Sequence, residues 1–227
     1  MLTLDLHMIG QRHKDLRNGL SSPPKYNLNT LWQLASRPHW VWQYAVKTNR
    51  RSFRNVVGHV KGVEDLSDLS NWARDAFDAS FTWDDVAWIK DRWGGPLIIK
   101  GILDAEDAHK AVATGADALI VSNHGGRQLD SALSSITVLP EIVAAVGDKI
   151  EVHMDGGIRS GQDALKALAL GAKATYIGRS YLYGLGAAGG AGVTTTLEII
   201  RKEMDVTMAL CGETDVNSFG RHNLARA

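Results

Sequence analysis

Cysteine is nearly missing from this chain: of 227 residues only Cys211 carries a thiol. A single cysteine excludes an intrachain disulfide framework and any multi-cysteine metal site, and it agrees with a reducing, cytoplasmic compartment. An excess of either charge is missing too, with 25 basic residues against 25 acidic ones. Such a balance leaves no electrostatic footprint for nucleic acid and no single-sign tail, so a small molecule is the expected partner. No run approaches the roughly 20 apolar residues that a spanning helix needs. The charges in MLTLDLHMIGQRHKD come too early and too often for a secretory leader. Peripheral membrane contact stays open. His7, His13, His39, His59, His109 and His222 share no ligand spacing, and no metal is expected.

What is present is a 44% hydrophobic chain, enough for a sizeable core. From Pro96 onward, PLIIKGI, EDAHKAVATGA, ALIVSN, SITVLPEIVAAVG, IEVHMDGG, GQDALKALALGA and ATYIGR follow one another. Short β-rich apolar runs alternating with amphipathic segments predict βαβ units and a parallel sheet. The strands are apolar on both faces, as expected where helices cover one side and a packed interior the other. Asp107-Ala108 followed by Gly115-Ala116 recurs as Asp163-Ala164 followed by Gly171-Ala172. One helix-to-strand unit used twice favours a (β/α) barrel.

Residues 10–80 differ in kind. They hold SSPPKYN, the tryptophans Trp32, Trp40 and Trp42, the polar run TNRRSFRN, and only short helical patterns such as LNTLWQLASR. A long excursion between strands predicts a lid or a partner surface. Asp84–Trp93 is expected to be a helix leading into the Pro96 strand, and Val193–Ala209 a helix that closes the fold. Expected strands near residues 2–6, 96–101, 118–122, 150–154 and 174–178 number five. A closed barrel has eight in typically about 250 residues. The expectation is a partial barrel whose missing part lies before Met1.

Chemistry concentrates in Ser122–Asp130, SNHGGRQLD, at the end of an apolar strand. Parallel barrels keep their active sites at that end. His124 can take a proton, Gly125 and Gly126 allow a tight turn, and Arg127 offers a planar fork matched to a carboxylate. The pairing suits oxidation of a 2-hydroxy acid. A structural histidine, and an Arg127 paired with Asp130, are the alternatives.

DGGIR at Asp155–Arg159 and GR at Gly178–Arg179 follow consecutive strands. This ordered pair resembles the phosphate site after the last two barrel strands, used for flavin mononucleotide (FMN) or sugar phosphates. Lys100 ends its strand at the same mouth, either stabilising negative charge on a bound ring or simply solvated. Asp5 and Arg12 flank the end of the first strand, as a histidine's partner or as loop charges. His153, inside a strand, reads as a packed histidine.

PLIIKGI, SNHGGRQLD, DGGIRSGQDALKALALGA and the GR pair, in this order and spacing, resemble the FMN-dependent 2-hydroxy acid oxidase and dehydrogenase family. TLDLHMIGQRHKDLRNG is similar to that family's fourth-strand segment, and the RPHWVW segment most resembles its bacterial L-lactate dehydrogenase branch. The resemblance spans essentially the whole chain. It implies an FMN-linked (β/α)8 TIM barrel, here about the last five β/α units, forming one domain over residues 1–227 with 10–80 as a long insert. It also implies that His124 is the catalytic base with Asp5 as its partner, and that Arg127 and Arg12 bind the substrate carboxylate. Lys100 would sit beside the flavin ring, Thr3 and Ser122 would hydrogen-bond that ring, and Asp155, Gly156, Gly157, Arg159, Gly178 and Arg179 would hold ribityl and phosphate groups.

The family has a helical amino-terminal segment and three further strands, including substrate-contacting tyrosines, without counterparts here. A truncated or misplaced start, a split protein completed by another chain, and a decayed remnant are the candidate explanations. The expected reaction is oxidation of L-lactate or a similar L-2-hydroxy acid to the 2-keto acid, with electrons passing to FMN and then to quinone, cytochrome or oxygen. The alternatives are an oxidase for glycolate or another 2-hydroxy acid, and an inactive half-barrel needing a complementary chain. A homo-oligomer, peripheral on the cytoplasmic face of the inner membrane, is the expected setting.

Overall fold

The computed structural model describes residues 1–8, 10, 12–19, 27–44, 72 and 77–225. The chain divides into two compact units, one formed by Met1–Gly10 with Ser80–Ala227 and the other by Gln11–Ala79. In the smaller unit lie α1 (His13–Arg17), α2 (Leu28–Ala35) and α3 (Pro38–Val41). Asn27 starts α2: its backbone is extended and its side chain accepts from Thr30 N at 2.8 Å, satisfying one of the donors a helix start leaves open. Pro38 opens α3, where a missing N–H costs nothing. TNRRSFRN and most of SSPPKYN lie outside the described residues.

The larger unit runs β1 (Leu2–Thr3), α4 (Trp83–Trp93), β2 (Ile98–Ile102), α5 (Ala105–Ala113), β3 (Ala118–Val121), α6 (Ser135–Val146), β4 (Glu151–Asp155), α7 (Gly161–Ala169), β5 (Ala174–Tyr176) and α8 (Arg179–Leu210). The five strands pair in sequence order, all parallel. Among the described residues β1 and β5 each have one neighbour, so the sheet is a partial barrel.

Successive residues of a strand face opposite ways, and the sheet uses the two faces differently. Ile99, Leu119, Val121, Val152 and Met154 share one buried cluster with Ala108 and Ala111 of α5 and Val138, Leu139 and Ile142 of α6. Fully burying each larger aliphatic side chain stabilises by about 1.5–3 kcal/mol. Of the positions in between, Ile98 and Ile120 are apolar, whereas Lys100, Ser122, His153 and Asp155 are polar. One face builds the core and the other combines apolar packing with the polar groups.

Apolar spacing predicts the closing helix over Val193–Ala209, but α8 begins at Arg179 and breaks at Ala188–Gly189, where the backbone leaves the helical region. The glycine-rich run before Val193 carries no apolar period because its task is close approach. A Cβ on Gly192 would run into the Gly184 carbonyl.

At the opposite end of the strands, Asp117 Oδ2 accepts from Leu97 N and from Lys90 Nζ, both at 2.7 Å. The Lys90 hydrogen bond, then that of the Leu97 N–H, holds the Asp117 carboxyl below its ordinary value of 3.8. A depressed folded-state value means stabilisation that is complete above the unfolded value and vanishes as pH falls through the folded one. Asp117→Asn should therefore lower Tm near neutral pH, and the gap to wild type should close in acid below about pH 4. Thermal unfolding across that range reads it, and a gap independent of pH contradicts the role of the charge.

Candidate active site

The carboxyl end of β3 organises the site. Ser122 has no exposed surface, and its Oγ accepts from Lys100 Nζ at 2.7 Å and from His124 N at 3.1 Å. Lys100 Nζ also pairs with Asp155 Oδ2 at 2.8 Å. One ammonium thus ties the ends of β2, β3 and β4 together. The chain then turns through three consecutive left-handed residues, His124 (φ 55°), Gly125 (φ 68°) and Gly126 (φ 69°). Glycine tolerates this freely, whereas a histidine there costs about 1–3 kcal/mol and persists only where its surroundings impose it. Gly126 N closes the turn onto Asn123, at 2.9 Å to its carbonyl and 3.2 Å to Oδ1.

The turn brings His124 Nδ1 to 3.3 Å from Asp5 Oδ1. Asp5 reaches this place because of β2. The register shifts between Lys100 and Ile102, and Gly101 sits in the bulge at φ +107°. A Cβ there would lie 2.9 Å from both Cβ and Cγ of Asp5. Gln128 fixes the segment from the other side, its Nε2 donating to Asp5 O at 2.8 Å and Met8 O at 2.9 Å. With Nδ1 donating to the Asp5 carboxylate, Nε2 is the imidazole's basic nitrogen.

Beyond β4, Gly156 (φ 89°) and Gly157 (φ 82°) open a loop that ends at Arg159, and Gly178 and Arg179 begin α8. A Cβ on Gly157 or Gly178 would meet nothing within 4 Å, so the backbone there borders open space. Arg179 Nη2 donates to Gly125 O at 2.9 Å, linking the two glycine turns. A cavity of about 490 Å³ results. Its lining includes Lys100, His124, Arg127, Asp155, Gly156, Gly157, Arg159, Gly178 and Arg179. Thr3, Asp5 and Ser122 do not line it. Asp5 and Ser122 act on it through His124 and Lys100, whereas Thr3 lies in the ladder opposite Lys100. Arg12 belongs to the smaller unit.

Several participants escaped the sequence reading. Gly101 and Gln128 place Asp5, and Tyr176, Ser180 and Leu182 line the cavity. Gly101 looked like an ordinary strand end, but a glycine inside an apolar strand is itself a signal of a bulge. Tyr176 was hidden in the run ATYI, although its register opposite Asp155 puts it at the mouth.

Residues 1–226 match the family of FMN-dependent dehydrogenases. The chain belongs to this family. It is 46% identical over 225 residues to an L-lactate dehydrogenase of Caulobacter vibrioides (strain NA1000 / CB15N), a match covering 99% of this chain and 58% of that protein. It resembles the crystal structure of the monotopic membrane protein (S)-mandelate dehydrogenase with a TM-score of 0.91 and 38% identity, over 100% of this chain and 59% of the other. A mandelate oxidase mutant holding a monooxide FMN adduct matches with a TM-score of 0.61 and 48% identity, over 64% of this chain and 46% of that one. The chain therefore spans less than two thirds of these relatives' length.

The residues present fit the family's cofactor. Backbone without side chains at Gly157 and Gly178, two arginines and the start of α8 suit a phosphate dianion. Asp155 Oδ1 is buried without a hydrogen-bond partner among the described residues and suits a ligand hydroxyl. The ammonium of Lys100, held by Ser122 and Asp155, suits an electron-rich ring. Because Gly101 makes room for Asp5, Gly101→Ala should destabilise the chain by about 1–3 kcal/mol, the cost of a side chain in that conformation. Chemical denaturation measures this, and an unchanged midpoint contradicts it.

Proposed function

We propose that the protein oxidises L-lactate, or a closely similar L-2-hydroxy acid, to the 2-keto acid with FMN as electron acceptor. The observation that carries this reading is the convergence of a histidine–carboxylate pair, a guanidinium and a glycine-rich anion cradle on one cavity. FMN, when bound, takes up the two electrons the substrate loses. Arg127 holds the substrate carboxylate through charged hydrogen bonds. The substrate loses the hydrogens of its O–H and Cα–H bonds together with an electron pair. Nε2 of His124 takes one of them as a proton, the other leaves toward the flavin site where FMN would accept the pair, and Asp5 stabilises the imidazolium that forms. Lys100, held in place by the buried Ser122, sets its charge against the negative charge gained by the ring. Asp155, Gly156, Gly157, Arg159, Gly178 and Arg179 hold the ribityl and phosphate groups.

Lactate is favoured over glycolate by the likeness to L-lactate dehydrogenases. In this reading residues 1–227 form one FMN domain with residues 10–80 inserted after β1, and the protein works as a homo-oligomer. Electrons leave to a quinone or cytochrome at the cytoplasmic face of the inner membrane, by analogy with the monotopic membrane relative. No helix among the described residues is long and apolar enough to cross a membrane. Among the described residues the sheet has two edges with a single neighbour, which favour a second reading, in which turnover needs a complementary chain that completes the barrel.

Anaerobic addition of L-lactate to the FMN-loaded protein should bleach the flavin absorbance. His124→Gln should keep the flavin spectrum while the reduction rate falls by about 10²–10⁴. Reduction of the variant at the wild-type rate would overturn the assignment of the base.

A further inference from the structure

Beneath the cavity, on the sheet face that carries Lys100 and Asp155, runs a second polar chain that the lactate chemistry does not use. His153 is 7% exposed within β4. Its Nε2 lies 3.1 Å from Glu151 Oε2 and its Nδ1 3.0 Å from the Tyr176 hydroxyl. Tyr176 lines the cavity. We propose that Glu151 and His153 orient the Tyr176 hydroxyl so that its oxygen is a hydrogen-bond acceptor for the hydroxyl-bearing ribityl chain of the flavin. This rests on the FMN reading above.

Direction follows from donor and acceptor counts. A carboxylate only accepts, so the proton on the neutral imidazole sits on Nε2 and points to Glu151. Nδ1 is then the acceptor, and the tyrosine O–H donates to it. Both remaining lone pairs of the phenol oxygen are left for a donor in the cavity. Placement selects which part of the cofactor supplies that donor. Tyr176 pairs in register with Asp155 and stands two residues before Gly178. That puts it between the residues assigned to the ring and those assigned to the phosphate, where the ribityl hydroxyls are the available donors. Asp155 and Tyr176 thus form two adjacent acceptors, a carboxylate and a phenol, for a polyol.

Tyr176 is the binding group, and His153 is a positioning residue that acts through it. The test is a fluorescence titration with FMN and with lumiflavin, which has the ring but no ribityl phosphate. Tyr176→Phe should weaken FMN binding about 2–10-fold, the worth of one neutral hydrogen bond, and leave lumiflavin unchanged. His153→Leu should reproduce that selective loss, His153→Gln should restore part of it by offering an acceptor, and the double variant should lose no more than Tyr176→Phe alone. An unchanged FMN affinity in Tyr176→Phe, or an equal loss for both flavins, overturns the proposal. Wild-type protein that binds no FMN overturns the FMN reading itself, and this inference with it.

Discussion

The buried hydroxyl of Ser122 is the point on which the site's geometry depends. It accepts from Lys100 and from the backbone of His124, so it joins β2 to β3 and sets where the left-handed turn begins. Lys100 extends the tie to β4 through Asp155. Leaving such a buried donor unpaired costs about 1–3 kcal/mol, and more when it is charged. A polar network of this kind is stable only when nearly every member is satisfied, which gives the strand ends a single arrangement. The apolar face behind it contributes rigidity, since Leu119, Val121 and Val152 are locked among α5 and α6.

On that frame the chain places groups in conformations that are unfavourable by themselves. His124 occupies a left-handed conformation, Gly101 interrupts a ladder, and Asp5 Oδ2 and Asp155 Oδ1 are buried without partners among the described residues. His124 and Asp155 border the cavity, while Gly101 and Asp5 act on it through His124. Strain and unsatisfied acceptors that converge in this way are typical of sites that a ligand completes. His124, backed by Asp5, the guanidinium of Arg127 and the glycine-lined loops border that one cavity, which is why the proposed function gathers proton removal, carboxylate binding and anion binding there.

The strands and most helices were legible in the sequence because their apolar runs have the right length and are separated by turn-forming residues. PLIIKGI and ALIVSN read as strands because nothing in them conflicts with burial on both faces. SNHGGRQLD disclosed His124 and Arg127 because glycine pairs beside strand ends mark turns that face the mouth. Other features were hidden for physical reasons. Asp5 and His124 are 119 residues apart, and their contact depends on a bulge whose one local sign is a glycine inside an apolar run, which does not say what the bulge admits. The first part of α8 has glycine where a helix period would need bulk, since its packing uses backbone against backbone. The chain of Glu151, His153 and Tyr176 arises from register between β4 and β5, and register is a property of the sheet rather than of either segment.

In the proposed function the ends of β4 and β5 cradle the phosphate of FMN. Equilibrium titration of the purified chain with FMN and with riboflavin, which lacks only the phosphate, tests it most directly. FMN should bind roughly 10–150-fold more tightly, the worth of one charged hydrogen bond, and Arg179→Ala should erase most of the difference. Equal affinity for the two flavins, or a preference untouched by that substitution, would contradict it.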